Sequence, residues 1–419
     1  MLTKAPKGTK DVLPGQSAGW QYVEAIAREV CALFGYREIR TPVIEHTELF
    51  LRGVGDTTDI VQKEMYTFED KGGRSITLKP EGTAGVVRSF VEHSLFAEPL
   101  PVKMYYLNSP VFRYERPQAG RLREHHQFGI EAFGAPGPAI DAEVISVALT
   151  LFRKLGITSL ALNINSIGCK ECRPTYNTAL REYLKDNEDK LCGVCRERMD
   201  TNPLRVLDCK VDTCQEIVKN APKMLDMLCG DCAAHFDGLK QRLSGAGIEY
   251  KVNPMIVRGL DYYTKTVFEI ISTGIGAQGT VCGGGRYDGL VEELGGPSMP
   301  GVGFGMGLER LLLVLESLGI ELPRPSLCDV FVCTLGDAAA VEGFRVVSAL
   351  RDVGIKAECD HMGRSLKSQL KYAGKTGARY AAIIGDNELQ NGVAVVRDMQ
   401  KSEENTVPLE ELHQFLKRG

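Results

Sequence analysis

Two long strand-like runs joined by a short connection constrain this chain more than any other stretch. They lie in residues 102–134, VKMYYLNSPVFRYERPQAGRLREHHQFGIEAFG. Val102 to Arg113 and Gln127 to Phe133 are rich in strand-favouring residues, and Pro117 and Gly120 punctuate the connection, so an antiparallel hairpin with a slightly long loop is predicted. Side chains alternate along a strand. That puts Arg113 and Glu115 on one face of the first run, and His125, Gln127 and Glu131 on one face of the second. A sheet face with arginine, glutamine and two carboxylates among bulky neighbours suits a small zwitterion together with a phosphate. The same alternation also describes a solvated face with surface ion pairs.

Three further clusters carry chemistry. In LKPEGTAG, residues 78–85, Glu81 and Thr83 sit on a turn set by Pro80 and Gly82 and could receive an amino group; they could equally cap a helix start. In RGLDYYTKTVFEII, residues 258–271, Arg258 offers a bidentate contact to phosphate and Tyr262 and Tyr263 offer phenols, with plain packing as the other reading. In PGVGFGMGLERLLLVL, glycines recur at 301, 303, 305 and 307. One strand face there is bare, open to a flat ring or a backbone, and Arg310 follows in the first turn of an apolar helix. That strand lacks the strand-turn-helix order of a dinucleotide fingerprint. The chain's one G-K-T, at Gly374, has Gln369 where a phosphate-binding loop needs glycine. A nucleotide would therefore lie on a sheet, held by Arg113 and Arg310.

Eight of the thirteen cysteines fall between Cys169 and Cys232. They form CKEC (Cys169, Cys172), CGVC (Cys192, Cys195), CKVDTC (Cys209, Cys214) and CGDC (Cys229, Cys232). In a reducing compartment such pairs either hold structural zinc, in up to two four-thiolate sites, or remain reduced thiols. Fifty basic against fifty-four acidic residues give a net charge of -4, so nucleic-acid binding must come from local patches. One such patch is the stripe Arg364, Lys367, Lys371, Lys375 and Arg379. No apolar run approaches the ~20 residues that span a bilayer, and the opening MLTKAPKGTKDVLPG has no apolar h-region, so a cytoplasmic protein without a membrane span is expected. Composition changes divide the 419 residues at 1–167, 168–245, 246–322 and, after the linker ELPRPS, 329–419. The last segment reads as a compact α/β module of strand, helix, strand, basic helix, two strands and a final helix.

FGYREIRTPVIEHTELF, FRYERPQ with HHQFGIEAFG downstream, and GVGFGMGLERLLL resemble motifs 1, 2 and 3 of class II aminoacyl-tRNA synthetases. RGLDYY and GGGRYDGL resemble the two signature peptides of the histidyl-tRNA synthetase family. The resemblance implies an α+β fold: an antiparallel class II sheet flanked by helices, a cysteine-rich and mostly helical insertion, and a C-terminal α/β anticodon-binding domain. It implies a homodimer through the region around Pro42, with ATP, Mg2+, L-histidine and tRNA(His) as partners. Carried over by position, Glu81, Thr83 and Gln127 would hold the α-amino group of histidine, and Glu131 and Tyr263 the imidazole, with Tyr262 and Tyr287 as further contacts. Arg113 and Arg310, with Glu115, would bind ATP; Arg258 would face the α-phosphate; Gln118, Arg121 and Arg123 would meet the acceptor stem. The commoner LRPEGTA is LKPEGTA here, expected to be conservative. The cysteines lie outside the family's catalytic pattern. A non-catalytic, synthetase-like regulatory subunit of ATP phosphoribosyltransferase is the alternative, but that paralogue lacks the C-terminal module and parts of the motifs, whereas Arg113, Arg258, Arg310 and the module are all present here.

Overall fold

The computed structural model of the chain describes residues 3–55, 58–117, 120–272, 279–323 and 326–418. It divides into two compact units, residues 1–323 and 324–419. The first unit begins with helix α1 (Pro14–Leu33), started by a proline whose missing N–H costs nothing at that position. Strands β1 (Arg37–Glu38) and β2 (Ile44–His46), helix α2 (Thr47–Val54), strands β3 (Tyr66–Glu69) and β4 (Ser75–Leu78) and helix α3 (Thr83–Glu92) follow. The hairpin strands are β5 (Val102–Phe112) and β6 (Glu124–Phe133), and helix α4 (Pro138–Lys154) leads to β7 (Leu160–Ser166). The cysteine-rich stretch holds helices α5 (Cys172–Lys185), α6 (Gly193–Thr201), α7 (Asp212–Val218) and α8 (Gly230–Gly245). Strands β8 (Lys251–Val252), β9 (Thr264–Ser272) and β10 (Thr280–Arg286), helix α9 (Leu290–Glu293), β11 (Gly301–Gly307) and helix α10 (Leu308–Ser317) complete the unit.

Eight of these strands form one sheet in the order β1-β5-β6-β11-β10-β9-β7-β8. The six inner strands are all antiparallel, as expected; the two-residue edge strands β1 and β8 join in parallel, which makes the margins mixed. Strand alternation sends Phe128, Ile130, Phe268, Ile270, Phe304 and Met306 into the main core, where they pack with Val23 and Ala27 of α1, Val144 and Leu151 of α4, Leu239 of α8 and Leu311 of α10. The opposite face carries the polar residues. A smaller sheet, β2-β4-β3, lies beside it.

The second unit comprises β12 (Val330–Thr334), α11 (Asp337–Asp352), β13 (Ala357–Cys359), α12 (Leu366–Lys375), β14 (Tyr380–Ile384), α13 (Asp386–Asn391), β15 (Val393–Asp398), β16 (Glu404–Pro408) and α14 (Leu412–Arg418). Its sheet runs β13-β12-β14-β15-β16, parallel across the first three strands and antiparallel thereafter. Sequence rhythm misses α13, a single polar turn and a half, and β16, an edge strand exposed at all but one position. Gly374 does not end the basic helix, which runs to Lys375. Lys367, Lys371 and Lys375 are exposed on it, while Arg364 precedes it and pairs with Asp360 at 2.6 Å. Gln369, where a phosphate-binding loop needs glycine, is buried and bonds the backbone of Thr334 and Arg364. Among the described residues no helix is long and apolar enough to cross a membrane.

Candidate active site

The floor of the site follows from cross-strand register. Tyr106 on β5, Gly129 on β6, Gly305 on β11, Gly283 on β10 and Glu269 on β9 stand opposite one another in sequence across the sheet. Three adjacent glycines leave bare backbone between a phenol and a carboxylate. One row away Gly303 faces Glu131. A Cβ at Gly303 would overlap Glu131 Oε2 and the Ile130 carbonyl, and one at Gly301 would overlap the Tyr287 ring. The bare face thus makes room first for the protein's own side chains. Gly303→Ala should destabilise the unit by about 3 kcal/mol, because one clash is with rigid backbone; a wild-type urea midpoint would refute this crowding.

Glu131 is fully buried. Its Oε1 accepts from the Thr83 hydroxyl at 2.7 Å, and Oε2 accepts from the Tyr287 hydroxyl. Burial pushes its carboxyl up to about 8, against the pull of those two hydrogen bonds, and the nearby Glu81 adds to the rise. Glu81 caps α3, accepting the backbone N–H groups of Thr83 at 2.8 Å and Ala84 at 2.7 Å. Capping and site facing therefore coincide in one residue, since Tyr262 also reaches Glu81 Oε2 at 3.4 Å. Burial raises the Glu81 carboxyl as well. Gln127 Oε1 accepts the Gly82 N–H at 3.2 Å and so ties the α3 entry to β6. Tyr262 and Tyr263 are buried with ring centroids 4.7 Å apart, and Tyr287 lies 5.7 Å from Tyr262. Seven residues from four separated stretches lie together here.

Arg258 lies beside them. Its Nη1 is 2.5 Å from Glu269 Oε1, and the guanidinium occupies the space a side chain at Gly283 would fill, with Nη2 2.5 Å from that virtual Cβ. Burial opposes its charge, but Tyr263 and Glu269 hold its ionisation above the usual arginine value. Glu269, a lone carboxylate in a β-branched run, was not anticipated as its partner, nor Tyr106 as part of the floor. His126 and Glu309 were also missed: they join β6 to α10 through an Nδ1–Oε1 contact of 2.8 Å.

The hairpin loop departs from expectation. Strand β5 ends at Phe112, so Arg113 and Glu115 do not share a strand face; they sit in the connection, where the Arg113 N–H donates to Arg123 O at 2.7 Å. Arg113 Nε is held by the Pro80 carbonyl at 2.8 Å. His125 shares the Gln127 and Glu131 side of β6, but burial and the Arg113 charge push its imidazole down to about 3, so it is a neutral group whose Nδ1 meets the Leu122 carbonyl at 3.3 Å. Arg310 Nη1 donates to the Thr280 carbonyl at 2.9 Å. Arg121 pairs with Glu115 at 2.8 Å, and Arg123 stacks on Tyr114 at 4.0 Å. Gln118 lies outside the described residues. Lys79, expected to be a mild replacement, is buried against Ser109 Oγ at 2.7 Å and pushed down to about 8 by that burial, so its charge is far less secure than an arginine's.

The eight cysteines gather into two groups, Cys169, Cys172, Cys229 and Cys232, and Cys192, Cys195, Cys209 and Cys214, with all sulfurs in a group within 4.8 Å of one another.

Six antiparallel strands, the motif order and the carboxylate and arginine cluster above the glycine floor together define the class II synthetase arrangement that the motifs resemble. Residues 8–311 match the family profile of histidyl-tRNA synthetase, and residues 329–419 that of the anticodon-binding domain. The histidine–tRNA ligase of Caldanaerobacter subterraneus subsp. tengcongensis is 59% identical over 417 residues, covering 100% of both chains. That of Acetivibrio thermocellus is 57% identical with the same coverage. The apo crystal structure of S. aureus histidyl-tRNA synthetase superposes with a TM-score of 0.85 at 40% identity, covering 99% of this chain and 100% of that one. The chain belongs to the histidyl-tRNA synthetase family.

Proposed function

We propose that this chain ligates L-histidine to tRNA(His) in two steps. The histidine carboxylate oxygen attacks the α-phosphorus of ATP, pyrophosphate leaves, and the 3′-terminal hydroxyl of the tRNA then displaces AMP from the histidyl adenylate. The observation that carries this reading is the buried Glu131, held by Thr83 and Tyr287 beside a second carboxylate, Glu81. An acceptor at Glu131 with the Tyr263 phenol suits the two nitrogens of an imidazole, and Glu81, Thr83 and Gln127 suit an ammonium. Tyr262 and Tyr287 close the pocket. Arg113 and Arg310, with Glu115 nearby, are assigned to the ATP phosphates, and Arg258 to the charge that grows at the α-phosphate. Mg2+ bound with ATP supplies further neutralisation.

Gln118, Arg121 and Arg123 are assigned to the acceptor stem, residues 168–245 to an inserted domain, and residues 329–419 to anticodon binding. Exposed Lys367, Lys371 and Lys375 support the last of these. Val43, Ile44 and Phe68, in and just before the small sheet that follows Pro42, and Leu51 of α2 are exposed, which supports a homodimer through that region. A cytoplasmic location goes with this reading. Retention of Arg113, Arg258, Arg310 and the second unit weighs against the regulatory-subunit alternative.

ATP–pyrophosphate exchange with each of the twenty amino acids tests the reading. Exchange should require Mg2+ and histidine; exchange driven by another amino acid, or by none, would overturn it.

A further inference from the structure

The loop that carries Arg258, Tyr262 and Tyr263 is gripped from behind by the cysteine-rich segment. Arg173, the neighbour of Cys172, donates to the Tyr263 carbonyl. Between Cys195 and Cys209, Asn202 Nδ2 reaches Asp261 Oδ1 at 3.1 Å, Arg205 Nη2 reaches the Gly259 carbonyl at 2.6 Å, and Arg198 pairs with Asp59 at 2.6 Å. These residues can hold the loop only if their own backbone is fixed. The helices there are short, nine residues in α6 and seven in α7, and the small core that packs them, with Leu180, Leu184, Met199 and Val206, is built around Cys172, Cys195, Cys214 and Cys232.

The sulfurs supply the constraint. Cys169 Sγ lies 3.7 Å from Cys172 Sγ and 3.9 Å from Cys229 Sγ, and Cys192 Sγ lies 3.9 Å from Cys209 Sγ. Four sulfurs at ~2.3 Å from a central tetrahedral ion stand about 3.8 Å apart, whereas a disulfide would bring two of them to ~2.05 Å. Each group also receives a backbone donor on sulfur, Cys229 N–H to Cys172 at 3.1 Å and Cys192 N–H to Cys214 at 3.2 Å, as thiolate ligands require. One group is nested within the other along the chain: the outer pairs close the ends of the segment and the inner pairs close its middle.

We propose that the segment binds two zinc ions, one per tetrathiolate group, and that both are positioning elements for adenylation because they fix Arg173, Asn202 and Arg205 against residues 258–263. Four protein sulfurs leave no open position for water, so the ions take no part in the chemistry. The kinetic half rests on the proposed ligase activity; the metal half does not.

Metal analysis of the full chain, purified without added metal, should find about two zinc ions per chain, and Co2+ exchange should give the spectrum of tetrahedral thiolate sites. Zinc below about 0.2 per chain with all thiols titratable, a single zinc, or iron in its place would overturn the assignment. Cys192→Ser with Cys195→Ser should leave one zinc. Because that variant can misfold, the positioning role is read on Arg205→Ala with both zincs retained: histidine-dependent exchange should fall about 10-fold, and Arg205→Lys should restore part of it. Unchanged exchange in Arg205→Ala would overturn the positioning role. A zinc-loaded wild type with no histidine-dependent exchange would instead sink the ligase reading and leave the metal sites standing.

Discussion

Arg258→Ala should slow histidyl-adenylate formation by about 10²-fold or more, the usual cost of removing one preorganised group from a developing charge. The expectation comes from how the guanidinium is held. Nη1 is anchored on Glu269 at 2.5 Å, the missing side chain of Gly283 gives it room, and its buried Nε has no hydrogen-bond partner among the described residues. A buried donor without a partner is costly unless a ligand completes it, and a carboxylate or phosphoryl oxygen would do so. Transfer of histidine from preformed adenylate, in which pyrophosphate has already left, should suffer less. Single-turnover rates of the two half-reactions check this; equal losses in both would mean general misfolding. Gly283→Ala offers an independent arm, since its Cβ would displace the guanidinium while keeping the charge. It should also slow the first step, by a smaller factor.

Part of this arrangement was legible because alternation in a strand is a local property. The side on which Gln127 and Glu131 lie followed from β6 alone, and the recurrence of Gly301 and Gly303 announced a bare face. Arg113 shows the limit: alternation was extended past Phe112, where the strand stops, and a register argument has no force in a loop. Tyr106 and Glu269 stayed hidden for a different reason. Each is one unremarked residue in an ordinary strand, and only the register of five strands, fixed by contacts far apart in sequence, sets them at either end of the glycine row. The cysteines fall between these cases. Spacing identified the pairs, but which pairs combine depends on how α5 to α8 fold back. The burial of Lys79 likewise depends on Thr41 and Ser109, residues thirty and more positions away.

Glu131→Gln should lower histidine-dependent exchange on the order of 10²-fold, because glutamine matches the protonated acid but cannot release a proton to become the carboxylate acceptor that a bound imidazole N–H favours. The same change should make the protein more stable at alkaline pH. Burial, the leading cause, moves the Glu131 carboxyl from 4.5 to about 8, and the hydrogen bonds from Tyr287 and Thr83 only partly offset it. Between those values the folded chain keeps a proton that the unfolded chain releases, so wild-type stability falls as pH rises through that window and the full cost of the buried charge is present above about 8. Glutamine carries no such cost. It has nearly the shape of the protonated acid, and the Tyr287 and Thr83 hydroxyls can turn to match it. The variant's melting midpoint should thus equal the wild type's near pH 5 and exceed it by roughly 2 °C or more near pH 8.5. A difference that does not change with pH would show that Glu131 is ionised throughout, held by its two hydroxyl donors, and would remove the proton from any account of how this pocket receives histidine.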